Sequence, residues 1–382
     1  MKLLFITEYF PATTEVEVHG GVEVRTYNIA KRLAKRHSVT VISSLEFGKP
    51  RKQILNRIVV KRVGGIRRYS SFGKHTSIFS RFIFVIYSVW EGLNVDFDLV
   101  EGTGYMGWIP AWIVGVVKHK KKVAWIADLT EFTFKPYLSN WSIVVIQLIE
   151  RLILKLKWDA LVCISNTVCK KVQRLGVPSE RINVIYCGTD VNKIQRLHVE
   201  KNHQEIVCVA RLVKYKRIED LITALQKVKL RIPSVKLSII GVGGELKFLK
   251  NIVANLNLRK QVQFKGFIPK HRDVWRLIKQ ARVLCVPSEI EGFGITTIEA
   301  MAAGVPVVAA DLPINREITK NKGVLFFKSK NTVDLANQLT TLLVNQEIYH
   351  RLIRQSGFVI RNYDWKKLSK QTQELYENLC SY

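Results

Sequence analysis

"EIEGFGITTIEAMAAGVPVVAAD" (residues 289–311) sets two carboxylates, Glu291 and Glu299, eight residues apart around a glycine-bearing turn. The run before it, "ARVLCVPS" (281–288), is short and apolar and reads as a buried strand. Gly304 and Pro306 supply a helix stop after Ala303, and "VPVVAA" returns to a strand pattern. The order is therefore strand, loop, short helix, strand. Glu291 falls in the loop at the strand's carboxyl end and Glu299 on the second turn of the helix. In open parallel α/β sheets, ligands bind in the crevice beyond the carboxyl ends of the strands.

The same grammar runs through the rest of the chain. Strand-like runs stand at 2–7, 38–43, 58–63, 97–102, 122–128, 160–165 and 182–186, separated by helical patterns. In one of these, 22–36, Val22, Tyr27, Ile29, Ala30 and Leu33 share a face. The pattern restarts with runs at 204–211, 235–241, 262–266, 282–287, 305–310 and 323–327, and the polar segment 192–203 reads as a linker. We expect two Rossmann-like, doubly wound α/β domains, residues 1–190 and 191–362, followed by a terminal helix over 363–382.

A length of 382 residues with 47% hydrophobic content suits two folded domains. No apolar run reaches the roughly 18 to 20 residues of a membrane span, because Arg81, Glu150, Arg151 and Lys155 interrupt the nearest candidates, 77–90 and 141–158. "MKLLFIT" lacks a small-residue cleavage site and reads as a first strand, so a cytoplasmic location is expected. The six cysteines form no C-x-x-C pair, which favours buried free thiols over a metal site. Asp96 and Asp98 form a D-x-D, but Asp98 begins a strand, and we read the pair as structural; no metal is expected.

The net charge of +29 is shared between the two halves. Between Glu46 and Glu91 there is no acid, yet there are ten bases: Lys49, Arg51, Lys52, Arg57, Lys61, Arg62, Arg67, Arg68, Lys74 and Arg81. They lead into the aromatic segment "SIFSRFIFVIYSVW" (77–90), so residues 49–90 suit an anionic membrane surface, or else a solvated face of a generally basic protein. A second basic run, "KHKKK" (118–122), is weaker evidence.

Three further features point to phosphate. Arg211 and Lys216 flank a turn that opens a helix near Ile218, where helix dipole, exposed N–H groups and two cations combine into an anion site. Gly241 and Gly243 follow a strand and let a ligand or neighbouring backbone come close, although Lys247 breaks the G-x-G-x-x-G of a dinucleotide site. Gly20 and Gly21 precede the first helix and form another phosphate-approach loop.

Taken in order, G-G, Arg211-x4-Lys216, Gly241-x-Gly243, Glu291-x7-Glu299 enclosing Gly294, and Ala302 to Ala309 resemble the retaining glycosyltransferases of family 4, with the GT-B fold. "VCISNTVCKKVQRLGVPSERINVIYCGTD" (162–190) resembles that family's domain junction, and "YDWKKLSKQTQELY" (363–376) its last helix, which crosses back to the first domain. The resemblance implies two domains facing across a cleft and a nucleoside diphosphate sugar as co-substrate, with no cofactor. It assigns Glu299 to the ribose hydroxyls, both carboxylate oxygens accepting together, and Glu291 to the hydroxyls of the transferred sugar. It aims the N–H groups of Gly292, Phe293, Gly294 and Ile295 at sugar or diphosphate. It gives Arg211 and Lys216 the task of stabilising the departing diphosphate. Two positions depart from the family: Ala127 stands where many relatives carry a histidine, with Asp128 beside it as a candidate to orient the acceptor, and Lys216 is followed by Arg217 rather than glycine.

The expected activity is retaining, metal-independent transfer of a sugar to a glycan or lipid-linked acceptor, on the cytoplasmic face of the membrane. Two alternatives stand beside it: a nucleotide-sugar-binding protein of the same fold with impaired catalysis, and a basic nucleic-acid-binding protein. The second rests on charge alone, and no nucleic-acid partner is expected.

Overall fold

Two β-sheets organise the chain in the computed structural model, which describes residues 1–13, 20–67, 78–129 and 140–381. The first sheet holds β1 (Lys2–Thr7), β2 (Ser38–Glu46), β3 (Lys52–Leu55), β4 (Ile58–Arg67), β5 (Leu99–Thr103), β6 (Lys121–Ile126), β7 (Ala160–Cys163) and β8 (Ile182–Val184). Its order is β3-β4-β2-β1-β5-β6-β7-β8, parallel throughout except for the β3/β4 pair. Helices α1 (Gly21–Leu33), α2 (Ile78–Leu93), α3 (Gly104–Val117), α4 (Asn140–Lys155) and α5 (Asn166–Arg174) belong to this unit. Leu3 to Ile6 are buried without alternation, as in a parallel strand covered on both faces.

The hairpin strand β3 is absent from the strand pattern of the sequence. Its turn is Asn56–Arg57, with φ of 50° and 67°, a two-residue left-handed turn of the kind that closes tight hairpins. Arginine is a poor signal for positive φ, so the turn carries no recognisable chemistry in the sequence. The hairpin also accounts for part of the 49–90 charge. Lys49 pairs with Glu46 at 2.7 Å and Lys61 with Glu91 at 2.5 Å, while the buried Arg62 donates to the carbonyls of Pro11 and Pro50. Arg81 lies 3.4 Å from Glu8. Arg51, Lys52 and Arg57 are exposed; Arg68, Lys74 and the side chain of Arg67 lie outside the described residues.

The second unit, Gly188–Asp364, contains α6 (Val191–Gln195), β9 (Asn202–Val209), α7 (Ile218–Arg231), β10 (Lys236–Ile240), α8 (Leu246–Asn255), β11 (Val262–Gly266), α9 (His271–Gln280) and β12 (Ala281–Val286). It continues through α10 (Ile295–Ala302), β13 (Val307–Ala310), α11 (Pro313–Thr319), β14 (Val324–Phe327), α12 (Thr332–Val344) and α13 (Gln346–Ile360). The six strands are all parallel, in the order β11-β10-β9-β12-β13-β14. The expected linker 192–203 is not one. It holds most of α6 and the start of β9, and the Lys279 ammonium donates to the carbonyls of Ile194 and Gln195 at 3.1 and 2.8 Å. Val191, Ile194 and Leu197 are its buried side, a pattern too short to register as a helix.

The last helix, α14 (Trp365–Cys380), belongs to the first unit and packs on α1. Tyr376 donates its hydroxyl to Glu101, which also takes both guanidinium nitrogens of Arg25. Glu101 is fully enclosed, and the Arg25 guanidinium lies 4.8 Å from the centre of the Trp125 ring. Burial, and then the Glu101 charge, push the Tyr376 phenol well above its usual range. The expected buried face of α1 is corrected accordingly. Tyr27, Ile29, Ala30 and Leu33 are buried as expected, but Val22 is exposed and Arg25 takes a buried place beside them.

The six cysteines are free thiols. Burial raises Cys187 and Cys208 to about 12. Asp96 and Asp98 hold the start of β5 to β1: Asp96 pairs with the Lys2 ammonium at 2.5 Å, and Asp98 accepts the Lys2 backbone N–H at 2.7 Å.

Candidate active site

In the second unit the chain proceeds from β9 outward to β10 and β11, then returns to place β12 on the other side of β9. The carboxyl ends of β9 and β12 therefore flank the point where the direction of winding reverses, which in such sheets opens a crevice. The two loops that leave these strands carry Arg211 and Lys216 on one side, Glu291 on the other.

The loops are joined directly. Glu289 N–H donates to the Tyr215 carbonyl at 2.9 Å, and Arg211 donates to the Tyr215 hydroxyl at 2.8 Å. A 3-10 turn, Lys214–Lys216, presents Lys216, whose ammonium lies 2.6 Å from Glu291 Oε1. Both side chains are largely enclosed, so the pair is held at reduced screening. Arg217 follows with φ of 50° and starts α7, but its guanidinium is turned onto Asp220 at 2.8 Å and Glu219 at 2.9 Å. The extra cation in place of the family's glycine is thus neutralised locally.

Helix α10 starts at Gly294, whose φ of 92° favours glycine, and ends in a Schellman motif. There Val305 N–H reaches the Ala300 carbonyl at 2.9 Å and Gly304 N–H the Met301 carbonyl at 3.2 Å. These two ends fix the rotation of a helix buried almost all round, and with it Glu299, which is 1% exposed. His271 and Trp275, one turn apart on α9, both reach Glu299 Oε1: His271 Nε2 at 2.5 Å and the Trp275 indole N–H at 2.9 Å. Glu299 Oε2 is buried and meets no hydrogen-bond donor among the described residues. The expected two-oxygen grip on a ribose is corrected by this arrangement, because one oxygen is already committed to the protein.

His271 and Trp275 carry no motif that sequence reasoning could use, since their role depends on α9 packing against α10. Burial alone lowers the pKa of His271, but the charge and hydrogen bond of Glu299, with a smaller contribution from Asp190, more than offset this and leave it raised. An imidazole so placed donates through Nε2 to the carboxylate.

The glycine loop after β10 shows the second of its two expected uses, the close approach of a neighbouring backbone. A Cβ at Gly241, where φ is 133°, would lie 2.0 Å from the Ala210 carbonyl oxygen, and one at Gly243 would lie 2.2 Å from that of Leu212. These glycines bring the β10 loop against the β9 loop that carries Arg211. The Phe293 side chain is buried, with its ring edge-on to Tyr363 at 5.9 Å. Among the described residues, the N–H groups of Gly292, Gly294 and Ile295 meet no protein acceptor.

In the first unit, Gly20 is the residue before α1 and no side chain caps the helix. Among the described residues, its chain neighbours apart, none stands within 4 Å of where a Cβ would lie at Gly20. Asp128 lies just beyond β6, next to Ala127. Its Oδ1 takes the Lys171 ammonium at 2.6 Å and the Leu129 N–H at 2.8 Å, while Tyr105 donates to its carbonyl at 3.1 Å.

The geometry agrees with what the chain is similar to. The profile described as "Glycosyltransferase Family 4" matches residues 19–193, and that described as "Glycosyl transferases group 1" matches residues 190–357. The chain belongs to the family 4 type of glycosyltransferases, with the GT-B fold. An uncharacterised glycosyltransferase of Methanocaldococcus jannaschii is 24% identical over 99% of this chain and 98% of its own. The phosphatidyl-myo-inositol mannosyltransferase of Mycobacterium tuberculosis is 32% identical over 42% of this chain and 43% of its own. Apart from the archaeal protein, the chain spans about half the length or less of several such relatives. Among solved structures, sucrose-phosphate synthase of Thermosynechococcus elongatus superposes with a TM-score of 0.83 at 20% identity, covering 100% of this chain and 99% of that one. Anabaena HepE in complex with UDP and glucose does so with a TM-score of 0.77 at 19% identity, covering 99% and 100%.

Proposed function

We propose that the protein transfers a sugar, with retention of configuration and without a required metal, from a nucleoside diphosphate sugar to a glycan or lipid-linked acceptor at the cytoplasmic membrane surface. The observation that carries this reading is the Lys216–Glu291 pair at the β9/β12 switch point, with the buried Glu299 Oε2 on the adjoining helix. The diphosphate is held by Arg211, Lys216 and the N–H groups of Gly292, Gly294 and Ile295, where negative charge develops as the leaving group departs. Glu291 meets the hydroxyls of the transferred sugar, and Glu299 accepts from the ribose through Oε2. Gly20 and Gly21 approach the donor with their backbone, and Asp128, steadied by Lys171, orients the acceptor.

Relatives support the substrate classes. HepE has been solved with UDP-glucose, which makes a uridine nucleotide the first donor to try. The mycobacterial relative is a phosphatidyl-myo-inositol mannosyltransferase, which supports a lipid acceptor.

The test is a thermal-shift panel of UDP, GDP, ADP, CDP and dTDP in EDTA, followed by turnover with the matching sugar nucleotide. A ligand at a hundred times its dissociation constant adds about 2.7 kcal/mol to stability. A rise with one nucleotide supports the donor site, and none with any of them counts against it. Ala127, which leaves the end of β6 without an imidazole, favours one second reading, a donor-binding protein with impaired transfer. Nucleotide binding without sugar turnover is the result that selects it.

A further inference from the structure

Outside the donor site, the first unit carries three neighbouring helices, α2, α3 and α4. They lie side by side, α2 against α3 and α3 against α4. Each runs from the carboxyl end of one parallel strand toward the amino end of the next, so their carboxyl termini share one edge.

Their outward surface is apolar in a regular way. On α2, Phe79, Phe82, Ile86 and Trp90 recur at helical spacing and are exposed, Phe79 by 70% and Trp90 by 62%. On α4, Val144, Leu148 and Leu152 do the same, Leu152 by 59%. Between them, α3 carries no charged residue at all, and its end exposes Val116 and Val117. Surface apolar residues scattered singly need no explanation, whereas a patch ordered across three helices does.

The acids of the three helices themselves are all accounted for. The three helices contain two acids: Glu91, paired with Lys61, and Glu150, which is buried. At the shared carboxyl edge, a cavity of about 520 Å³ is lined by Trp112, Val116 and Leu156 together with His119, Lys155, Lys157 and Lys122, the last paired with Asp159 at 3.1 Å. Lys155 and Lys157 pair with no acid among the described residues. The structure thereby moves the basis of a membrane argument. The cations of 49–62 are partly spent on the hairpin, while Lys155 and Lys157, at the end of α4, are exposed next to the apolar surface.

We propose that this three-helix face docks the protein on an anionic lipid bilayer, with α2 and α4 lying in the interface and the lysine-lined cavity taking a lipid phosphate. Aromatic and aliphatic side chains on one face with cations beside it are the arrangement an interfacial helix requires. None of the three helices leaves an acid of its own unpaired on this face, and the acids at its edge, Asp96 and Asp159, are paired with Lys2 and with Lys121 and Lys122, which suits an anionic surface. The inference rests on the reading of the protein as a peripheral membrane enzyme, and it names the surface and the lipid class.

The experiment is co-sedimentation of the full chain with vesicles of phosphatidylcholine alone and of phosphatidylcholine with phosphatidylglycerol, at low and high salt. Binding is expected to the second kind, weakening as salt rises. Lys155→Ala with Lys157→Ala is expected to lower that binding by roughly fivefold for each lysine. Phe82→Ser with Trp90→Ser, and separately Leu148→Ser with Leu152→Ser, are expected to lower it at every salt concentration. All these side chains are exposed, so melting temperatures should stay near the wild-type value. Lys216→Ala, in the donor site, should leave sedimentation unchanged, which separates this inference from the donor assignment. Equal sedimentation with both vesicle types, no sedimentation, or sedimentation indifferent to these substitutions overturns the proposal. So does a dimer in light scattering that the Phe82 and Trp90 substitutions dissociate while vesicles are not bound, since the face would then belong to a second copy of the chain.

Discussion

The Lys216 ammonium and Glu291 Oε1 lie 2.6 Å apart, joining the two loops that leave the sheet on either side of its switch point. Each group satisfies the other until a ligand enters. Under the proposed function a diphosphate competes for the lysine and a sugar hydroxyl for the carboxylate, so the pair would be exchanged when the donor enters.

Lys216→Ala should therefore lower the rate of transfer by roughly 10²- to 10³-fold, the usual consequence of removing one donor to a developing negative charge. Lys216→Arg should restore part of it. Steady-state kinetics on the purified variants checks this; wild-type kcat in Lys216→Ala would remove the lysine from the leaving-group role.

Glu299→Ala should weaken nucleoside diphosphate binding, and His271→Ala or Trp275→Phe should do so to a smaller degree by loosening the carboxylate. A hydrogen bond to a charged group contributes about 1.5 to 3 kcal/mol, which corresponds to roughly 10- to 100-fold in affinity. Calorimetric titration with the nucleotide, compared with its 2′-deoxy analogue, reads the ribose contribution. If the wild type does not distinguish the two, Glu299 does not hold the ribose.

Glu101→Gln should destabilise the first unit by about 3 to 5 kcal/mol, because it leaves the buried Arg25 without its counter-charge. Tyr376→Phe should cost less, since it removes a hydroxyl but no charge. Denaturant melts of the three proteins should rank them wild type, Tyr376→Phe, Glu101→Gln.

Lys201 should give the second unit a distinct pH dependence. Burial, with Lys279 and Arg282 nearby, lowers its pKa to about 8, against an ordinary value of 10.5. The unfolded chain thus holds this proton more tightly than the folded one. The cost of the charged lysine is complete below about pH 8 and fades as pH rises toward 10.5. Lys201→Met should accordingly stabilise at pH 7 by on the order of 2 kcal/mol, with an advantage that shrinks across that range. Melting temperatures of both proteins at pH 7, 8, 9 and 10 test the sign.

Strand and helix periodicity, the glycine stops and the order of motifs were enough to read from the sequence two doubly wound sheets and the pairing of Arg211, Lys216, Glu291 and Glu299 with one end of the second sheet. These are local or repeating signals, and each residue's neighbours in the chain carry them. What only the tertiary structure decided concerns groups that meet from distant segments. His271 and Trp275 reach Glu299 because α9 packs on α10, leaving one carboxylate oxygen rather than two for a ligand. Gly241 admits the Ala210 carbonyl because two loops cross, and Arg217 is neutralised because its left-handed backbone turns it toward Asp220. The segment 192–203 folds into α6 and β9 because Ile194 finds a buried place and Lys279 caps the turn's carbonyls. Periodicity reports which side of an element is buried; which atom of a buried group stays uncommitted depends on partners that the sequence does not place.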